Sequence, residues 1–210
     1  MQTVCKCPNY ALLFMGVQSA LCPSLVALNR LAPSSRRGDC PHVFMLAKRY
    51  STGNPAGWLV SEKYDGFRAM WDGSEFVSRE GNIFPAPASI KSAMPPVALD
   101  GELYVGRGQL GKVAGAVRSA DWAGLAFMAF DLPAHTGSAN DRIAHLATTA
   151  LPAFCKMVKH VRCESAGHLQ EMFTDVVNGG GEGLMLRDPA AVYEPWRTGA
   201  LLKMKPVGAE

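Results

Sequence analysis

The sequence predicts an α+β fold with largely antiparallel sheet. Short β-prone runs separated by turn residues fill positions 58–105. Two stretches of helical period follow in positions 143–177. There is no internal repeat and no steady β-α-β alternation, which argues against a parallel doubly wound sheet.

Trp58–Lys63 and Phe67–Trp71 read as strands linked through Asp65-Gly66. Asp72-Gly73 is a hairpin signal, with Glu75–Arg79 as the return strand. Gly81-Asn82 marks the next turn, and the prolines at 85, 87, 95 and 96 punctuate a short helix or loop. Val97–Val105 and Ala126–Leu132 are further strands. Ile143, Leu146, Ala147, Ala150 and Leu151 fall on one helical face, with Asn140 or Asp141 as the cap. Leu169, Met172, Phe173, Val176 and Val177 repeat that spacing, and Gly179-Gly180-Gly181 ends the helix. Gly183–Arg187 and Leu201–Lys205 are late strands. Trp58, Trp71 and Trp122 are assigned to the core.

The chain's 210 residues suit one ordinary domain with a small appendage, and a 48% hydrophobic fraction supplies a sizeable core. No apolar run approaches the roughly 18 residues of a membrane helix, so no membrane partner is expected. The net charge of +3 is unevenly placed: residues 1–38 carry Lys6, Arg30, Arg36 and Arg37 and no acid, leaving the rest at −1. Any grip on nucleic acid must then come from a local basic face. The cysteines at 5, 7, 22, 40, 155 and 163 fit no common zinc spacing and read as scattered thiols. The five histidines also lack metal spacing.

Residues 1–41 differ in texture from the remainder. They are rich in Ser, Pro, Cys and Arg, with a short apolar stretch at Ala11–Val17. This segment reads as an organelle transit or export signal, as a disordered extension, or as the product of a start codon placed too far upstream. It is set apart from the folded domain, taken as 42–210. Localisation is otherwise open, with an intracellular, DNA-containing compartment expected.

Five charged clusters follow in order: Lys63 with Asp65, Gly66 and Arg68; Ser78-Arg79-Glu80-Gly81; Leu99-Asp100-Gly101-Glu102-Leu103; Glu182-Gly183-Leu184-Met185 with Arg187-Asp188-Pro189; and Lys203-Met204-Lys205-Pro206. Phe130-Asp131 closes an apolar strand. A lysine amine is a nucleophile only when neutral, and its ordinary pKa of about 10.4 leaves little free amine at pH 7. Neighbouring cations such as Lys203 and Lys205 would lower it, and would also neutralise charge growing on a phosphate under attack. Asp65, Glu102 and Glu182 are hard oxygen ligands suited to Mg²⁺. On strands, Lys203 and Lys205 share one face, as do Asp100 and Glu102. Together these form a toolkit for nucleotidyl transfer through a lysine phosphoramidate.

The strings SEKYDGFRAMWDG, LDGELYVGRG, FMAFDLP, EGLMLRDP and LLKMKP resemble the ordered motifs of the covalent nucleotidyltransferases. They are most similar to those of ATP-dependent DNA ligases, especially the small bacterial and viral ones, over roughly Phe44 to Pro206. The resemblance implies a nucleotidyltransferase (adenylation) domain with antiparallel sheets flanking a nucleotide cleft. It also implies ATP and Mg²⁺ as cofactors, nicked duplex DNA as partner, and a monomer that seals nicks in DNA repair, recombination or replication through lysyl-AMP. Lys63 would be the adenylated nucleophile, with Asp65 supporting that step and the metal. Arg68 would contact the ribose, Arg79 the 5′-phosphate of the nick, and Phe130 would stack on adenine. Glu102 would contact the ribose and help hold metal, with Asp100 nearby; Glu182 would hold metal. Lys203 and Lys205 would grip the α-phosphate, and Ser61 would lie beside the adenine edge. Arg187 and Arg197 read as DNA-phosphate contacts or plain surface residues.

Two departures qualify the resemblance. Trp196-Arg197 stands where the family has Gly-Arg, so a bulky ring replaces a small turn residue. After Pro206 there is no candidate for the family's basic sixth motif, so the OB-fold domain that carries it is expected to be absent or supplied in trans. Alternative readings are a truncated nucleotide- or DNA-binding fragment without catalysis, an RNA ligase, or an mRNA-capping guanylyltransferase.

Overall fold

The computed structural model describes residues 44–208. The expectations for residues 1–41 lie outside this range. The described chain runs β1 (Leu46–Arg49), β2 (Leu59–Glu62), β3 (Phe67–Trp71), β4 (Phe76–Ser78), β5 (Ile83–Phe84), α1 (Ala88–Ala93), β6 (Leu99–Tyr104) and α2 (Leu110–Ser119). It continues with β7 (Ala126–Asp131), α3 (Ala139–Thr148), β8 (Cys155–Met157), β9 (Val161–Arg162), α4 (Ala166–Asn178), β10 (Leu184–Arg187) and β11 (Arg197–Met204). No helix among the described residues is long and apolar enough to cross a membrane.

The strands form two sheets, ordered β1-β11-β10-β2-β9 and β5-β4-β3-β6-β7-β8. All pairings are antiparallel except β1–β11 and β7–β8. The α+β expectation therefore stands, but β2 and β3 do not pair. The segment between them, Lys63–Gly66, crosses from the first sheet to the second. Gly66 makes that crossing: a Cβ there would sit 2.1 Å from the Leu103 carbonyl oxygen of β6, so no other residue fits.

Each sheet has its own core on its outer face. Trp71, Phe76, Leu99, Leu103 and Phe127 of the second sheet pack with Val113 and Val117 of α2 and Leu146 of α3. In the first sheet, Val60, Leu184 and Leu186 pack against Leu169 of α4. Side chains alternate across a strand. Burial of Leu184 and Leu186 therefore turns Met185 and Arg187 inward, and burial of Leu99 and Leu103 does the same for Asp100 and Glu102. The inward faces enclose the cleft.

Several elements differ from expectation. The helix over Leu110–Ser119 was not foreseen, because only Val113 and Val117 are buried on it and Gly111 and Gly115 dilute its pattern. Ser138, not Asn140 or Asp141, caps α3; Asp141 closes the capping box from the third helical position. β11 begins at Arg197 rather than Leu201 because Leu46 and Ala47 pair with Arg197 and Thr198. Trp71 and Trp122 are core, Trp58 is partly buried against the smaller core, and Trp196 is exposed.

Candidate active site

A cleft of about 570 Å³ lies between the sheets. One wall carries Ser61 of β2, Met185 and Arg187 of β10, and Leu201 and Lys203 of β11; the other carries Arg68, Arg79, Glu102 and Phe130. A smaller recess of about 110 Å³ contains Asp65, Tyr104, Arg107 and Glu182. Glu62 and Lys63 line both spaces, so the Lys63 side chain stands where they meet.

Lys63 is positioned by its backbone and by its amine. Its N–H donates to the Gly183 carbonyl, which extends the β2–β10 ladder by one rung. Its Nζ donates to Glu182 Oε2 at 2.5 Å, and Lys205 Nζ donates to Oε1 of the same carboxylate at 2.8 Å. Burial opposes ionisation of Glu182, but the hydrogen bonds from Lys205 and Lys63 outweigh it and hold the carboxyl below its ordinary value. Partial burial, then Lys205 and Lys63, lower the Lys203 ammonium. The three lysines therefore form one cluster around one acid. Gly183, at φ 143°, is required here because a Cβ would meet the Met204 carbonyl oxygen at 2.1 Å.

Arg68 is held more tightly. Its Nε and Nη2 make a fork to Asp100 at 3.0 and 2.7 Å. Its guanidinium carbon lies 5.2 Å from the ring centres of both Phe44 and Phe130. Glu102 accepts from the Gly66 N–H at 3.2 Å. Burial pushes its carboxyl up to about 7, against the pull of Arg68 and Lys63.

Of the residues singled out from sequence, Ser61, Lys63, Arg68, Arg79, Glu102, Phe130 and Lys203 line the cleft. Asp65 and Glu182 line the smaller recess, and Lys205 reaches it through Glu182. Arg79 is an exposed residue at the rim, 3.6 Å from Glu80. Asp100, expected as a metal ligand, is engaged by protein partners in this structure. It is wholly buried, and both carboxylate oxygens are engaged by Arg68 while Oδ2 also accepts from Tyr193. Arg187 also departs from the surface reading: it is 5% exposed and pairs through Nη1 with Asp131.

Arg142, Tyr193 and Arg107 are functional-site neighbours that no sequence pattern assigned a role. Arg142 is fully buried and joins Arg187 on Asp131, tying α3 and β10 to the end of β7. The acid of FMAFDLP, in an otherwise apolar strand, was the available signal, since a buried carboxylate requires partners. Arg107 makes a fork to Glu62, both bonds 2.9 Å, and donates to the Gly179 carbonyl.

Among the described residues no cluster of three His, Cys, Asp or Glu side chains forms a ready metal cage. Mg²⁺ commonly needs only one or two carboxylates together with substrate phosphates and water. Asp65, Glu102 and Glu182 suit that role by donor type.

Residues 44–205 match the family described as ATP dependent DNA ligase domain. A DNA ligase of Haemophilus influenzae is 31% identical over 172 residues, covering 79% of this chain and 64% of that protein. The chain thus spans less than two thirds of that relative's length. A solved structure described as "DNA binding with a minimal scaffold: Structure-function analysis of Lig E DNA ligases" is 37% identical, with a TM-score of 0.71 over 77% of this chain and 68% of that one. The Chlorella virus DNA ligase-adenylate shares the fold at 20% identity and a TM-score of 0.62, over 77% and 68% of the two chains. The fold is that of a nucleotidyltransferase domain of the DNA ligase type. The chain belongs to the ATP-dependent DNA ligase domain family.

Proposed function

We propose that this chain is the adenylating core of a nick-sealing enzyme. The observation that carries the reading is the placement of Lys63 Nζ where the two recesses meet, among Glu182, Lys203 and Lys205. ATP enters the larger cleft, with adenine against Phe130 and beside Ser61, and its ribose at Arg68 and Glu102. Lys203 and Lys205 bind the α-phosphate. As they do so the Lys63–Glu182 pair opens, and Nζ gives up a proton to solvent. Nζ then attacks the α-phosphorus: an N–P bond forms, the bond to the bridging oxygen breaks, and pyrophosphate leaves with its electron pair. Lysyl-AMP passes its AMP to the 5′-phosphate of a DNA nick, bound by Arg79. Attack by the 3′-hydroxyl on that activated phosphate closes the strand and releases AMP.

Asp65, Glu102 and Glu182 would hold Mg²⁺, which supplies charge neutralisation at the phosphates. Asp100 instead fixes Arg68. Incubation with α-labelled ATP and Mg²⁺ is expected to label the protein covalently, and Lys63→Ala is expected to abolish the label. Labelling that survives Lys63→Ala would overturn the assignment of the nucleophile. GTP labelling in preference to ATP would point to capping chemistry instead.

A further inference from the structure

We infer that Tyr193 is a positioning residue that sets the aim of Arg68 at the nucleotide sugar; this rests on the reading of Arg68 as the ribose contact. Tyr193 lies in the connection between β10 and β11, in the part of the chain that feeds the first sheet. Its hydroxyl donates to Asp100 Oδ2 at 2.7 Å and accepts from the Met45 N–H at 3.1 Å. Asp100 belongs to β6 of the second sheet and holds Arg68 of β3 by its fork. The contacts form one continuous line: Met45 N–H, Tyr193 hydroxyl, Asp100 carboxylate, Arg68 guanidinium. It begins beside β1 on one wall of the cleft and ends at a residue lining the other.

The physical reason for the hydroxyl is directional. A carboxylate forked by one arginine can still rock about the plane of the fork. A third donor on Oδ2, itself anchored by a backbone N–H, removes that freedom. Burial, then the neighbouring Asp100 charge, push the Tyr193 hydroxyl well above its ordinary pKa, so it remains a donor across the working pH range. The Tyr193 ring is fixed in turn by Arg142, whose guanidinium carbon lies 5.8 Å from its centre and whose Nη1 donates to the Ala191 carbonyl two residues earlier.

The test compares adenylation kinetics of the parent, Tyr193→Phe, Arg68→Lys and the double variant with ATP and with 2′,3′-dideoxy-ATP. Tyr193→Phe is expected to raise KM for ATP roughly 5- to 10-fold, with kcat within about twofold, on the scale of one charge-assisted hydrogen bond. With dideoxy-ATP the same substitution is expected to change KM less than about twofold. The double variant is expected to lose no more than Arg68→Lys alone, which keeps the test decisive if Tyr193→Phe also lowers the melting temperature. An equal loss with both nucleotides, or additive losses in the double variant, would overturn the inference. If Arg68→Lys itself leaves the preference for ATP over dideoxy-ATP intact, the ribose reading of Arg68 fails instead.

Discussion

Two groups of ion pairs lie around the cleft, a buried one at Asp100 and Asp131 (the deep end) and a more accessible one at Glu182 (the mouth), and they are built from different parts. At the deep end the cations are arginines and the acids are sealed away: the side chains of Asp100 and Asp131 are 1% and 0% exposed. At the mouth, Lys63 and Lys205 meet Glu182 through single contacts, with side chains 24%, 16% and 19% exposed. A guanidinium fork fixes direction, whereas an ammonium is a mobile point charge that water or phosphate readily replaces. The deep end is therefore suited to holding a ligand in one orientation. The mouth is suited to exchanging partners during a reaction. In the proposed reaction the Lys63 amine needs its lone pair, so the contact that holds it at rest has to be one that can open.

The largest expected effect tests whether the deep end is a fixed support. Asp131 lies between Arg142 and Arg187 and also accepts from the Leu132 N–H. Burial opposes its ionisation, but Arg187 and Arg142 outweigh that and hold the carboxyl below its ordinary value. Nearby His160 is pushed down to about 4, first by burial and then by Arg187, so it adds no third positive charge at neutral pH. Asp131→Ala leaves two buried guanidinium groups without their acid and is expected to cost about 3–5 kcal/mol in urea unfolding. A loss below about 1 kcal/mol would mean that packing alone holds the sheets together there.

Next in size is a pH effect at the junction of the two ends. Glu102 is held up to about 7, against an ordinary 4.5. Between those values the folded chain keeps a proton that the unfolded chain has lost, so this group makes stability fall as pH rises from about 4.5 to 7. Glu102→Gln removes the titration. The variant is expected to melt close to the parent near pH 5 and to exceed it above pH 7, by on the order of 1–2 kcal/mol after allowance for partial exposure. A stability difference that stays flat from pH 5 to 8 would show that Glu102 does not carry that penalty.

The two ends also differ in how far the sequence reveals them. The mouth is written in short local strings: Lys63 with Asp65, Glu182 with Gly183, and Lys203 with Lys205. Strand alternation then suffices to turn Phe130 and Glu102 toward the cleft. The deep end depends on pairings across long separations, Tyr193 with Asp100 and Arg187 with Asp131, and no local pattern specifies them. Arg142 beside Ile143 looks like the solvent side of an amphipathic helix, and only the approach of β7 makes it interior. The crossing of β2 and β3 into different sheets was hidden for a related reason: Asp-Gly reads as a turn, while what Gly66 supplies is room for the Leu103 carbonyl.

Glu182→Gln sharpens the contrast by separating stability from activity. The carboxylate is partly exposed and, among the described residues, takes its hydrogen bonds from lysine ammonium groups, so unfolding free energy is expected to change by no more than about 1 kcal/mol. Labelling by ATP is expected to fall by about 10²-fold or more, the scale of losing an aligned charged group at a reacting centre. A variant that labels normally would remove Glu182 from the chemistry of the mouth.

The smallest effect is expected at Arg107, where the mouth most resembles the deep end. Its fork to Glu62 has the geometry of a strong pair, and its bond to the Gly179 carbonyl ties the loop after β6 to the end of α4. Geometry alone would rank it beside Arg68 and Asp100. Exposure separates them: the Arg107 side chain is 37% exposed, and water competes for every bond it makes. Arg107→Ala is therefore expected to cost less than about 1 kcal/mol. That difference should shrink further in about 1 M salt, where screening acts within roughly 3 Å. Faster amide hydrogen exchange at residues 179–181 is expected alongside it, since the loop loses one of its ties. Should Arg107→Ala cost as much as Asp131→Ala, and keep that cost in salt, fork geometry rather than burial would be what makes one end of the cleft rigid.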